Sequence, residues 1–468
     1  MFAVLLVGAF LPPLDFFIVN VALPSIQQDL GASSSAEQLV ISSYAALYAV
    51  TLITGGRLGD LFGRERMFVV GLIGFALASL LCGLAWSPWA LVSGRALQGL
   101  TAAVMAPQAL ASVQAMFSEK EKHLALSLYG AVFGLASVVG QALGGVLISL
   151  DVFGLGFFLV NLPVAFLVIL FAIPLLRETR ARDPRKLELI GTALSMVTLA
   201  ALIVPLIEGR EAGWPLWAWL SLAVVPILAG ALWRSQSTLA RTGGSPLLDP
   251  SALGAPGLAR GLTVALLFYT ISTFFLLFSV YLQQAVHTSA LDAGLVFLPF
   301  GLGYLLGPLI SPAFRRLLGP FVTPLGMSLE AIGLYSIAWL IGATTLGVLP
   351  DHLRLDALLF LTGFGQGLAT PGLMHMVTGH VSPAFSGIIA GVTSSTLQVS
   401  VALSVAVIGG VFYALSGERT DVGQLAHAFV VALLVIATSQ LIGAVLGLTI
   451  ARRPASDPAH SSHPNNRR

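Results

Sequence analysis

Three ionisable residues of this chain lie inside long apolar runs. Asp15 falls within Leu14-Asp15-Phe16-Phe17-Ile18-Val19-Asn20-Val21-Ala22-Leu23-Pro24, Arg95 within Leu91-Val92-Ser93-Gly94-Arg95-Ala96-Leu97-Gln98-Gly99, and Glu330 eight residues into a third apolar stretch. A charge at the centre of a bilayer costs about 3 kcal/mol on insertion scales, so an acid or base there is a functional candidate. The chemistry open to such a pair is the gain and loss of a proton. Burial favours the neutral acid, a nearby guanidinium favours the carboxylate, and a rearrangement shifts the balance. For Asp15 and Arg95 the alternative is a static ion pair. For Glu330, proton carriage, direct substrate binding and a structural hydrogen bond are all open.

The elements that position these groups follow from composition. The chain is 56% hydrophobic and 9% charged over 468 residues, whereas soluble domains run nearer a quarter charged. So much apolar surface suits a polytopic membrane protein. Apolar stretches of helical membrane-spanning length predict fourteen spans, near 2–24, 38–57, 68–86, 89–112, 124–147, 156–176, 190–207, 216–233, 261–284, 292–311, 322–343, 356–377, 386–413 and 427–450. The first lacks a basic lead and a small-residue cleavage site, so it reads as a span rather than a cleaved leader. An even number of spans puts both termini on one side. That side carries nineteen Lys and Arg against three opposite (Arg210, Arg354 and Arg419), which makes it cytoplasmic. With this topology Asp15 lies about 12 Å, and Arg95 about 9 Å, from the outer ends of their spans at the α-helical rise. The two therefore sit at similar depth.

The longest connectors, 177–189 and 234–257, bracket spans 7 and 8, which read as an inserted pair. The expected organisation is an N-terminal bundle (1–176), a two-helix insert with its linkers (177–257), a C-terminal bundle (258–451) and a disordered cytoplasmic tail (452–468). A weak repeat supports it. Gly144-Gly145-Val146 recurs as Gly409-Gly410-Val411, and Gln98-Gly99-Leu100 as Gln366-Gly367-Leu368, at offsets of 265 and 268. The fold class expected is all-α.

Gly56-Arg57-Leu58-Gly59-Asp60-Leu61-Phe62-Gly63-Arg64-Glu65-Arg66 lies at the cytoplasmic turn between spans 2 and 3, with glycines for close approach and Asp60 able to pair with Arg64 or Arg66. A purely topogenic basic loop is the plainer alternative. This stretch resembles the signature loop of the major facilitator superfamily. Leu14–Pro24 is similar to the first-span signature of its fourteen-helix drug:proton antiporters, and Leu91–Gly99 to their fourth-span motif. Asn161-Leu162-Pro163 also fits. The resemblance implies two six-helix halves that rock about a central cavity, with Gly56, Asp60, Gly63, Arg64 and Arg66 as a conformational latch. It also implies that spans 1 and 4 line the cavity and that Arg95 is the proton-relay arginine. Two departures stand out. The fifth-span antiporter motif carries Gly140-Gln141 in place of Gly-Pro before Gly144-Gly145, which removes a kink determinant. The aromatic-basic opening of span 6 is replaced by Phe153-Gly154-Leu155-Gly156. The family's cytoplasmic lead before span 1 is missing too, which leaves open whether Met1 is the natural start.

Other polar side chains are candidates for the cavity. Gln98 shares a helical face with Arg95 and is expected to point into the same space. Gln366 and Thr370 share a face of span 12. Phe274, Phe278 and Tyr281 form an i, i+4, i+7 stripe: facing the cavity they suit flat lipophilic cations, facing lipid they are ordinary surface. Tyr44 and Tyr48 pose the same alternative.

The expected function is therefore proton-driven efflux of hydrophobic, cationic drugs or toxic compounds across a prokaryotic cytoplasmic membrane, an antibiotic-resistance activity. The alternatives are a narrow-substrate exporter or importer of a metabolite or antibiotic, and less favourably a polytopic membrane enzyme. The enzyme reading lacks the sizeable acidic outward loops it requires, since Ser25–Glu37 carries only Asp29 and Glu37. With Cys82 the sole cysteine, and no P-loop or nucleophilic triad, neither metal nor cofactor is expected beyond the proton as coupling ion. The partners expected are a small-molecule substrate and the lipid bilayer, with a periplasmic adaptor possible and no nucleic acid. A monomer is the expected working unit.

Overall fold

A backbone in hydrocarbon must satisfy its own hydrogen bonds, and over these apolar lengths the α-helix does so within one segment. The computed structural model describes residues 1–32, 34–117, 119–149, 154–176, 178, 188–209, 212–244, 246–255, 257–344, 348–378, 386–416 and 421–451. The polar tail 452–468 and most of the 177–189 connector lie outside the described residues. Among those described, thirteen helical stretches are long and apolar enough to cross a membrane. One of them, Leu291–Gly342, holds 52 residues and contains two helices of bilayer length. The described residues thus form an all-α, multi-pass fold with fourteen long helical segments.

These are α1 (Phe2–Leu30), α2 (Ser34–Phe62), α3 (Arg64–Gly83), α4 (Pro88–Met116), α5 (Glu119–Ser149), α6 (Asn161–Leu175), α7 (Leu189–Glu208) and α8 (Leu216–Arg241). There follow α9 (Leu258–Gln284), α10 (Leu298–Leu318), α11 (Val322–Gly342) and α12 (His352–Thr378). Next comes α13, made of Ser386–Ser404, a π-helical turn Val405–Gly409 and Gly410–Leu415, and last α14 (Val422–Ala451).

Several boundaries differ from the sequence expectation, mainly because helix continues past the apolar run, as where α8 extends to Arg241, into the connector expected from 234. The outward segment expected as a loop at Ser25–Glu37 is mostly helix. α1 runs on to Leu30 and ends at Gly31, whose left-handed φ of 59° closes the helix. The glycine-rich motif expected in the turn after span 2 is instead the last turns of α2 followed by the start of α3. Gly63 alone breaks the helix, at φ 105°, and a Cβ there would strike the Glu178 carboxylate.

α1 to α6 pack mainly on one another, as do α9 to α14. α7 and α8 pair together, and α7 also wedges against α2 and α13 through Ala46, Ala49, Ile203, Leu206, Ala402 and Ala406. In α8 only Ala218 and Gln236 are buried, so most of that helix faces outward, as a lipid-immersed helix does. Trp86, Trp89, Trp217 and Trp219 are exposed at the expected outer ends of the helices, the level at which tryptophan belts form. The two groups of six meet where α5 crosses α10 and α2 crosses α13, and where Phe17 stacks edge-on with Phe275 at 5.7 Å.

Within each group, glycines let helices touch backbone to backbone. On α4, Gly99 lies against the Tyr44 carbonyl of α2, and on α12 Gly367 lies against the Tyr304 carbonyl of α10. The repeated Gln-Gly pair thus makes the same crossing twice. One turn earlier the two crossings part. Arg95 reaches the Val40 carbonyl at 3.1 Å, whereas Gly363 at the matching place sits directly on the Phe300 carbonyl. The first group therefore opens its crossing for a guanidinium that the second does not contain. Gly99→Val would force the α2–α4 crossing apart, and overpacking of this kind costs about 1–3 kcal/mol. A melting temperature in detergent several degrees below the parent's is expected, and an unchanged one would contradict the contact.

Candidate functional site

The three donors that reach Asp15 come from two other helices. Asp15 enters from α1 at 2% exposure, and Arg95 and Gln98 from one face of α4 with none. Asn161 stands at the first residue of α6, and Ser79 belongs to α3. The Arg95 Nη1 donates to Asp15 Oδ2 at 2.5 Å and to Gln98 Oε1 at 2.6 Å. Asp15 Oδ1 accepts from Gln98 Nε2 at 2.9 Å and from Asn161 Nδ2 at 2.7 Å. Both amides also reach Ser79 Oγ, at 2.8 and 3.2 Å, and that hydroxyl donates to the Phe75 carbonyl. The guanidinium lies 4.3 Å from the centre of the Tyr44 ring, a cation–π contact. Three donors aimed at one carboxyl, with a full counter-charge among them, is an arrangement suited to a carboxylate.

The local sequence explains this convergence. Gly140 of α5 lies against Phe17 and the Leu14 carbonyl, so α5 closes over the Asp15 turn. The 3-10 segment Gly154–Val160 leads straight into Asn161 and fixes it at a helix start. The Gln141 side chain, like that of Asn20, lies outside the described residues. Gly144 and Gly145 are buried in α5, with Gly145 against Leu291.

Gln98 shares the space of Arg95, but that space is packed, which corrects the expectation of a cavity-lining residue. It is fully buried among α1, α3 and α4 and held by Arg95, Asp15 and Ser79. Phe274, Phe278 and Tyr281 are corrected as well, on both alternatives, since they face neither cavity nor lipid. Phe274 stacks on Phe278 at 5.2 Å, and Phe278 and Tyr281 stack on Phe429 at 5.4 and 4.9 Å. Their stripe is the aromatic core between α9, α10 and α14.

Four other tyrosines occupy the place between the two groups of helices. Tyr48 of α2 lies near Tyr269 of α9, Tyr129 of α5 near both, and Tyr304 of α10 near Tyr269. Tyr48, Tyr129 and Tyr269 are half-buried. Of these only Tyr48 carried a sequence signal. The others stand in separate spans with no common spacing, as do Ser79 and Asn161 of the Asp15 cluster. Thr370 meets Tyr304 and lies 3.3 Å from the position of a Cβ on Gly130 of α5. Gln366, one turn before it, is buried with no partner for Oε1 among the described residues. Glu330 is fully buried on α11, and neither carboxyl oxygen accepts a hydrogen bond from a described residue.

Where α2 ends and α3 begins, Arg64 pairs with Asp60 at 3.1 Å and donates to the Ala111 carbonyl of α4 at 3.2 Å. Arg66 pairs with Glu178 at 3.6 Å, and Glu178 also accepts from the Glu65 backbone N–H. Gly56 lies within α2. These contacts bind α2, α3 and α4 together and tie α3 to Glu178, three residues beyond α6. Glu178, from the charged connector, escaped sequence reasoning because 113 positions separate it from Glu65.

Known proteins resemble this chain along most of its length. A probable actinorhodin transporter of Streptomyces coelicolor is 36% identical over 412 residues, 87% of this chain and 71% of that protein. The puromycin resistance protein pur8 of Streptomyces alboniger is 37% identical over 418 residues, covering 87% and 80%. In fold the chain resembles the human organic anion transporter MFSD10 (TM-score 0.67, 20% identity, 95% of this chain and 98% of that one). The sequence profile of the Major Facilitator Superfamily matches residues 5–405, most of the chain, and the chain therefore belongs to that superfamily.

Proposed function

We propose that this protein exports hydrophobic, preferentially cationic antibiotics or toxic compounds across a prokaryotic cytoplasmic membrane by alternating access, in exchange for protons carried by Asp15. The observation that carries the proposal is the sealed Asp15–Arg95–Gln98–Asn161 cluster. One carboxylate holds α1 to α4 and α6, so its protonation cancels the charge on which that attachment rests. Helix packing then changes with proton occupancy, which is what coupling requires. Arg95 keeps the Val40 carbonyl and the Tyr44 ring as partners when the acid is neutral, and so stays in place to draw the proton off again. The transport direction is supported by relatives named as a transporter and a resistance protein, and the sidedness by the nineteen-to-three placement of basic residues. The Arg64–Asp60 and Arg66–Glu178 pairs would serve as the cytoplasmic latch. A second reading, a dedicated exporter of one antibiotic, is favoured by both of these relatives being named for a single compound.

The test is uptake of a panel of dyes and antibiotics into inverted vesicles with an acid lumen. Accumulation that collapses when a protonophore dissipates the gradient is expected. Accumulation unaffected by the protonophore would overturn proton coupling, and uptake confined to one compound would favour the dedicated exporter.

A further inference from the structure

A polar junction on the inserted pair of helices has no part in the Asp15 cluster. α8 faces outward along most of its length, and the side chains it buries are Ala218 and Gln236. A buried amide on such a helix must find partners. Gln236 Nε2 donates to Glu188 Oε2 at 2.9 Å, and Gln236 Oε1 accepts from the Leu248 backbone N–H at 3.1 Å. Glu188 Oε2 also accepts from the Gly191 N–H at 2.6 Å, which caps the start of α7. Gly191 admits this closeness, because a Cβ there would strike both Glu188 and Gln236. One carboxylate and one amide thus join the start of α7, the end of α8 and the segment that follows α8.

That segment is seated on the C-terminal group of helices. Asp249 caps a short helix, Pro250–Leu253, by accepting from the Ser251 N–H at 2.9 Å. Leu247 and Ala252 are buried, and Ala252 belongs to one packed cluster with Leu258 of α9, Met376 of α12 and Ile389 of α13. Higher in the membrane the pair is held differently. α7 lies where α2 meets α13, against Ala46, Ala49, Ala402 and Ala406. Among the described residues the hydroxyls of α7 bond within α7, and Ser221 of α8 bonds to the Ala201 carbonyl, so no hydrogen bond joins α7 to α2 or α13. Apolar contact is non-directional, and a shift along it breaks no bond.

We infer that the inserted pair is a strap fixed to the C-terminal group by the Glu188–Gln236–Leu248 junction, and that α7 slides on α2 so that the α2–α13 seam stays covered while the halves rock. This rests on the alternating-access reading above and assigns the pair to one of its two moving bodies. The reason is the contrast in attachment. The junction is directional, and parting it leaves a buried amide without partners. The contacts of α7 with α2 and with α13 are equally smooth, so the junction decides which half carries the pair.

Double electron–electron resonance on the purified full-length protein in lipid nanodiscs tests this. Cys82, the sole cysteine, is fully buried, so spin labels go to introduced cysteines at exposed outer-end positions. Trp219→Cys with Leu415→Cys reads the pair against the C-terminal half, Trp219→Cys with Trp86→Cys reads it against the N-terminal half, and Trp86→Cys with Leu415→Cys reads half against half. Ethidium, or a change from acid to alkaline buffer, should alter the second and third distances and leave the first unchanged. Gln236→Leu can make neither bond, and in that variant the first distance should spread into a broader distribution. Glu188→Ala opens the junction from the other side and should do the same. A first distance that changes as much as the third, or distributions in both variants as narrow as the parent's, would overturn the strap while leaving alternating access standing. A third distance that no condition alters would overturn alternating access, and the strap with it.

Discussion

Inverted vesicles carrying Asp15→Asn are expected to accumulate substrate no better than vesicles lacking the protein, even though the variant inserts and folds. Asparagine matches aspartate in shape and mimics the neutral acid that a proton-coupled cycle must visit, so the fold has to tolerate it. The hydrogen bonds explain how. Arg95 retains the Val40 carbonyl, Gln98 Oε1 and the Tyr44 ring, and Asn161 has an unused Oδ1 that can turn to accept from the new amide. What the variant cannot do is alternate between charged and neutral. Counterflow, in which labelled and unlabelled substrate exchange without a gradient, separates coupling from binding and should survive in Asp15→Asn. Gradient-driven uptake by the variant at the parent's level would remove Asp15 from the coupling step.

Arg95→Ala is expected to have the largest effect on stability. Asp15 then keeps two amide donors but loses its counter-charge in a fully buried site, and breaking one side of a buried pair costs about 3–5 kcal/mol. The emptied space between α2 and α4 adds to this, since the Gly99–Tyr44 crossing prevents the helices from closing further. Arg95→Ala combined with Asp15→Asn carries neither charge and should recover a substantial part of the loss. Thermal unfolding in detergent of the four proteins reads this coupling as a double-mutant cycle. Strict additivity would mean that the 2.5 Å contact between the two side chains contributes nothing. Glu178→Gln provides a contrast, because Arg66 is 68% exposed in its pair with Glu178 and a pair so solvated contributes little. Its melting temperature should stay near the parent's.

Membrane insertion, the number of spans and the pairing of Asp15 with Arg95 were legible in the sequence for physical reasons. Hydrocarbon demands about twenty apolar residues per crossing, and a charge retained in such a run stands out against them. Counting residues from the helix ends placed the acid and the base at one depth, and the structure shows them in contact. The Gln-Gly repeat announced a crossing that occurs twice, because a glycine is what lets two helical backbones touch. The bounds of α1 and α2 were less legible, since helix continues into polar sequence once neighbouring helices support it.

Which face of each helix turns inward was decided by tertiary packing alone. A spacing of three or four residues says that Phe274 and Phe278 share a face, yet in a membrane that face can meet lipid, a neighbouring helix or the cavity, and all three are apolar enough to accept a phenylalanine. Phe429, 151 positions further on, settles it by stacking on Phe278. The same holds for Gln98, held in the first bundle by Arg95, Asp15 and Ser79, and for Ser79 and Asn161, which join the Asp15 cluster only because α3 and α6 close around α1. The four tyrosines between the halves come from four separate helices, and no local pattern could have joined them. Sequence by itself determined what each segment must cross and which charges that crossing could not hide. The fold decided which of those charges meet a partner, as Asp15 does, and which have none among the described residues, as with Glu330.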